Sequence, residues 1–167
     1  AERTIVLPSP SRVRIIHITD IHYKGDRSYL ERVVERVNAM PADVVCLTGD
    51  IVEELSYLDD ALKMLAHIKK PMYGIRGNHD CWNAAAIEKI EECFRSTGGQ
   101  WVLDERVLAL DGRVEILGST GKLRSLPSRV GSSAEVHVLL IHDPETVGRI
   151  TDATFDLILA GHTHGGQ

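Results

Sequence analysis

The sequence predicts an α/β domain, and three observations carry that expectation. Short runs rich in Val, Ile and Leu alternate with stretches of helical periodicity. The runs are nearly continuous in apolar residues, as in strands covered on both faces. Each of the five main runs also ends on Asp, Asn or His, at the strand end where open α/β sheets bind ligands.

The first predicted strand is Val13–Thr19, and it delivers Asp20-Ile21-His22. Ser28-Tyr29-Leu30-Glu31 then reads as a capping box that opens a helix with an apolar stripe at Leu30, Val33, Val34 and Val37. Asp43–Thr48 is the second strand, followed by Gly49-Asp50. A second stripe, Leu58, Leu62 and Leu65, begins near Ser56 and stops before Pro71. Pro71–Arg76 is the third strand and leads into Gly77-Asn78-His79-Asp80. Asn83 caps a third helix carrying Ile87, Ile90 and Phe94, which Gly98-Gly99 stops.

Val107–Ile116 reads as a β-hairpin around Asp111-Gly112, and Ser119–Ala134 as a polar loop bearing Gly, Ser and Pro. Glu135–Ile141 is a further strand ending on His142-Asp143. The last, Asp156–Ala160, ends on Gly161-His162-Thr163-His164-Gly165-Gly166-Gln167. On an extended backbone His162 and His164 project to one side, about 6–7 Å apart. Two imidazoles aimed together from a buried strand fit metal better than packing.

Composition narrows the function classes. A chain of 167 residues with 43% hydrophobic content is one domain, 1–167, with a real core. Its net charge of −5 gives no electrostatic reason to expect nucleic acid as a partner. No run approaches the ~20 apolar residues of a membrane span, and no signal-peptide pattern is present. The first residue is Ala1 rather than Met, so an N-terminal piece can have been removed. Cys46, Cys81 and Cys93 match no zinc spacing and make no disulfide framework; they read as free thiols in a reducing compartment.

Five of the eight histidines lie at the strand ends, which random placement would not produce. Individually the residues have plain explanations. Asp50 alone reads as a turn or cap, Asn78 as a left-handed turn residue and His142 as a hydrogen-bonded boundary histidine. His17 and His137 read as strand histidines and His67 as a helix-surface one. Joint occurrence is what points to metal.

Asp-x-His, Gly-Asp, Gly-Asn-His-Asp, His and Gly-His-x-His, in this order from Asp20 to His164, resemble the calcineurin-like metallophosphoesterases. The ending Gly-His-Thr-His-Gly-Gly-Gln is similar to a bacterial branch of small phosphodiesterases whose relatives include UDP-2,3-diacylglucosamine hydrolases. The resemblance implies a sandwich of two mixed β-sheets flanked by helices. Because relatives continue past Gly-Gly-Gln, it also implies a domain lacking the last strands of the family fold.

The resemblance further implies a two-metal centre. Asp20, His22, Asp50 and His164 would hold one ion; Asp50, Asn78, His142 and His162 would hold the other, with Asp50 as the bridge. Mixed carboxylate, amide and imidazole donors suit Mn²⁺ best, with Fe or Zn²⁺ also compatible. Two divalent ions less Asp20, Asp50 and a bridging hydroxide leave roughly one net positive charge to attract a phosphate. The implied reaction is attack of that hydroxide on phosphorus by a phosphodiesterase or pyrophosphohydrolase. His79 resembles the general acid, and Asp80 is expected either to orient it or to serve as a plain helix-start carboxylate.

The implied partner is a small phosphorylated substrate, a phosphodiester or a nucleotide-linked lipid. The expected location is cytoplasmic or membrane-associated. Rival readings on the same fold are a nuclease or cyclic-nucleotide phosphodiesterase, and a non-catalytic metal-binding or protein-interaction module. In the loop Gly118–Ser133, Lys122, Arg124 and Arg129 stand where similar proteins carry acidic residues; they read as a solvated loop or as contacts to an anionic substrate.

Overall fold

The computed structural model describes residues 12–80, 83–121, 133–149 and 155–164. Two four-stranded sheets face each other. The first runs β1 (Ile15–Ile18), β2 (Val44–Leu47), β3 (Met72–Gly74), β4 (Gln100–Trp101) in spatial order, and every pairing is parallel. Each crossover passes through a helix: α1 (Arg27–Ala39), α2 (Leu58–Leu65) and α3 (Ala84–Ser96). That connectivity is what a parallel sheet requires. The second sheet runs β5 (Arg106–Ala109), β6 (Val114–Ser119), β7 (Val136–Ile141), β8 (Leu157–Ala160). Only this sheet is mixed, because β5 and β6 form an antiparallel hairpin while the other pairs are parallel. The expected two mixed sheets are thus one parallel and one mixed.

Alternation along β2 shows how the layers are assembled. Val45 and Leu47 turn toward the helices and join Leu30, Val34, Leu62, Leu65, Ile90 and Phe94 in one core. Val44 and Cys46 turn the other way, into a second core with Tyr73, Ile116, Val138 and Leu140 between the sheets. Strands β2, β3, β6 and β7 are buried at every residue, as the continuous apolar runs predict. The edge strands β1 and β8 are only partly covered. Burial pushes the Cys46 thiol up to about 12 and Cys93 up to about 11, so both are inert core residues.

Two of the three helix starts match expectation. Asn83 Oδ1 accepts from Ala86 N at 3.0 Å, and Gly98, at φ +85°, ends α3 as its N–H reaches the Arg95 carbonyl at 3.0 Å. The second helix begins as a 3₁₀ turn, Leu55–Tyr57, that runs into α2. The first helix starts one residue after Asp26, not at Ser28. Asp26 Oδ1 accepts from Tyr29 N at 3.0 Å and from Ser28 Oγ at 2.9 Å. The carboxylate out-competes the hydroxyl as cap, and Ser28 becomes its donor.

Strand β4 escapes prediction because two residues are too short to show a period. The hairpin turn spans Leu110–Arg113, with Leu110, Asp111 and Gly112 all at positive φ. The greater part of the polar loop after β6, with Lys122, Arg124 and Arg129, lies outside the described residues, as does Cys81.

Candidate metal centre

The parallel strands of both sheets end at one edge, and the ladder between β1 and β2 continues beyond them. Asp20 N donates to Gly49 O at 3.1 Å, His22 N to Asp50 O at 3.0 Å and Tyr23 N to Ile51 O at 3.1 Å. The loops carrying Asp20, His22 and Asp50 are therefore fixed to each other by backbone. Five candidate ligands, Asp20, His22, Asp50, His162 and His164, have φ between +43° and +67°. They make up five of the eight non-glycine residues with positive φ among the described residues. Left-handed backbone costs of order 1–3 kcal/mol per residue and gathers at functional sites. It also corrects the extended geometry expected at the chain's end: strand β8 stops at Ala160, and Thr163 N folds back onto Gly161 O at 2.8 Å. His162 and His164 consequently diverge to different neighbours.

His162 joins His142 and Asn78. His142 Nε2 lies 2.8 Å from Asn78 Oδ1, His162 Nδ1 lies 3.0 Å from the same oxygen, and the two ring nitrogens are 3.2 Å apart. The other nitrogen of His142, Nδ1, sits 2.8 Å from the Thr48 carbonyl, which can only accept. Nδ1 therefore carries the proton, and Nε2 turns a lone pair toward Asn78 and His162. Lone-pair atoms gathered around one point are what a cation needs.

His164 joins His22 on the other side, its ring stacked at 5.0 Å and 23°. One ligand atom each from Asp20, His22 and His164 falls within 4.8 Å of the others. Here Glu53 Oε2 takes the Nδ1 proton of His22 at 2.8 Å. His22 Nε2 is left buried with no hydrogen-bond partner among the described residues. Its near neighbour is Asp50 Oδ2 at 3.4 Å, another acceptor. An orphaned buried lone pair beside a carboxylate fits a metal ligand, and the donor set of carboxylate and imidazole suits a divalent ion.

Asp50 stands between the two groups. Its Oδ2 is 3.4 Å from His22 Nε2 and also 3.4 Å from His142 Nε2, while Oδ1 accepts the His79 backbone N–H at 2.9 Å. Burial of Asp50 at 2% exposure holds that oxygen in place. Thr19 Oγ1 fixes Asp20 Oδ2 at 2.7 Å, itself receiving from Thr48 Oγ1 at 2.8 Å. His162 N binds Asp20 Oδ1 at 3.0 Å and so ties the second sheet to the first.

Asp80 is not spent on the His79 ring. It is 1% exposed, and its carboxylate accepts from Asp50 N at 2.6 Å, Gly77 N at 2.8 Å and Ile51 N at 3.0 Å. Burial raises its pKa above the usual carboxylate range, against three backbone hydrogen bonds that favour the charged form. It clamps the β2 loop to the β3 loop. These loops also need glycine: a Cβ on Gly77 would stand 2.0 Å from Asp50 Oδ1. Gly77→Ala is therefore expected to displace Asp50, cost about 1–3 kcal/mol of stability and weaken divalent-metal binding. Thermal melts and Mn²⁺ stoichiometry check it.

The family model described as calcineurin-like phosphoesterase matches residues 13–166. The chain belongs to that family. Among its relatives, the Bacillus subtilis protein named uncharacterized metallophosphoesterase YkoQ is 27% identical over 96% of the chain and 64% of its own length. The Escherichia coli protein named phosphodiesterase YaeI is 29% identical over 92% of the chain and 61% of its own length. The bovine protein named transmembrane protein with metallophosphoesterase domain is 27% identical, matching over 42% of its length. The chain thus spans less than two thirds of the length of these relatives. Its fold is similar to the crystal structure of TT1561 of Thermus thermophilus, with TM-score 0.58 and 14% identity over 78% of the chain and 68% of that one.

The fold gathers the seven residues expected to be ligands at one edge; Asp20 falls with His22 and His164 and also with Asp50 and His142, and His79 falls with His22 and Asp50. The His79 ring lies 4.9 Å from that of His22 and edge-on to it. Of the histidines not expected at the site, His67 Nδ1 meets the Lys63 carbonyl at 2.8 Å and His137 is buried beside Asp156, while His17 meets Thr48 Oγ1 at 2.8 Å, behind Thr19 and Asp20. Sequence reasoning missed Glu53, Thr19 and Thr48. Thr19 and Thr48 precede the ligand motifs, so their position offered a signal; Glu53 offered none, because only the pairing of Tyr23 with Val52 brings it to His22.

Proposed function

We propose that this chain is a dinuclear-metal-dependent phosphoesterase acting on a small phosphodiester or pyrophosphate substrate. The position of Asp50 Oδ2, 3.4 Å from an imidazole nitrogen of each ligand group, carries the reading. Asp20, His22, Asp50 and His164 hold one ion; Asp50, Asn78, His142 and His162 hold the other. Mn²⁺ suits this donor set best, with Fe or Zn²⁺ also compatible. Such ions, when bound, make water a usable nucleophile at neutral pH and polarise phosphoryl oxygens.

The protein's own residues supply orientation and proton transfer. A cavity of about 340 Å³ opens over Asp20, His22, His79 and His164, with Lys24 and Glu53 at its wall. His79 faces that space without belonging to the proposed ligand set, which fits a donor to the departing oxygen. The Escherichia coli relative named a phosphodiesterase supports a diester substrate. No helix among the described residues is long and apolar enough to cross a membrane.

The direct test is release of p-nitrophenol from bis-p-nitrophenyl phosphate and p-nitrophenyl phosphate with added Mn²⁺. Diester turnover that EDTA abolishes is expected. Absence of release from both esters across Mn²⁺, Fe²⁺ and Zn²⁺ would leave a non-catalytic module.

A further inference from the structure

The two ligand groups differ in how their imidazoles are held. The Nδ1 proton of His142 goes to a neutral backbone carbonyl, that of Thr48 at 2.8 Å. For His22 it goes to a carboxylate, Glu53 Oε2, also at 2.8 Å. A carboxylate partner fixes the ring and its tautomer and makes the opposite nitrogen a stronger electron donor. The backbone brings this partner in, since Glu53 N donates to Tyr23 O at 3.2 Å where the β1–β2 ladder continues past the strands. Glu53 itself is partly open to the cleft, beside Lys24. It can therefore be altered without opening the core.

We infer that Glu53 is the positioning residue of the first metal site, holding His22 so that Nε2 faces Asp20, Asp50 and His164, and that metal affinity at that site alone depends on it. The inference rests on the two-site reading above. No carboxylate is needed at the second site, where the Thr48 carbonyl already fixes His142.

Mn²⁺ titration of the full chain by calorimetry separates the possibilities. The parent is expected to bind two equivalents. Glu53→Ala should weaken one of them about 10–100-fold and leave the other at its parent affinity. Glu53→Gln, whose amide oxygen still accepts from Nδ1, should lose less. In the metal-free protein, ¹⁵N NMR of the His22 ring should show the proton on Nδ1 in the parent, and lose that preference in Glu53→Ala. Retention of both affinities in Glu53→Ala overturns the inference alone, as does equal weakening of both sites. Fewer than two equivalents in the parent overturns the two-site reading with it.

Discussion

Replacing His79 with alanine is expected to lower turnover of a diester with an alkoxide leaving group by about 10²–10⁴-fold while bound metal is retained. His79 contributes its backbone N–H to Asp50 Oδ1, and alanine keeps that N–H. Only the ring is lost from the cleft wall next to His22. A proton donor to the departing oxygen matters most when the leaving group is a poor one. The deficit should therefore shrink with p-nitrophenolate and grow with an alkoxide. Measured Mn²⁺ stoichiometry together with a leaving-group series decides the matter. Loss of an ion in His79→Ala, or a deficit independent of leaving group, would count against the proton-donor role.

The second large effect is expected on stability. Asp80→Ala removes the acceptor for three backbone N–H groups, those of Asp50, Ile51 and Gly77, in a place that water does not reach. An unsatisfied buried donor costs about 1–3 kcal/mol, so the three together should cost about 3 kcal/mol or more. For a chain of this length that lowers Tm by roughly 6–12 °C. Asp80→Asn, which keeps one carbonyl oxygen, should recover part of the loss. Melting of the metal-free protein isolates the effect from metal binding. A shift below about 2 °C would show that the loops do not depend on the clamp.

The strand runs were legible because burial on both faces leaves a continuous apolar signature, clearest in β2 and β7. Helix α3 was legible from its own caps, Asn83 and Gly98. Where two polar residues compete for one role, as Asp26 and Ser28 do, sequence order does not reveal which oxygen the amides choose. Nor could it reveal β4, whose pairing depends on β3 and not on a pattern of its own.

At the site, the residue types and their order at strand ends pointed to metal, because coordination chemistry admits few side chains, whereas the division into two ligand groups came from the family resemblance. The supporting residues were hidden. Glu53 reaches His22 across 31 positions through a backbone ladder, and Asp80 sits inside a recognisable motif while two of its three partners lie 29 and 30 positions away. Contacts of that kind are properties of the folded chain. The extended geometry expected for His162 and His164 failed for a related reason, since the strand ends before them.

The left-handed backbone at the candidate ligands limits how these positions can vary. Outside glycine, the residues most at ease at positive φ are Asn, Asp and His, and those same three are among the best oxygen and nitrogen donors to a divalent ion. Two unrelated filters, one steric and one electronic, thus admit nearly the same alphabet at Asp20, His22, Asp50, His162 and His164. Val at any of them would fail both at once. Exchange among Asp, Asn and His would keep the turn and alter only the charge or the donor atom. The variation that this backbone tolerates is therefore the variation that would retune the metals rather than abolish them.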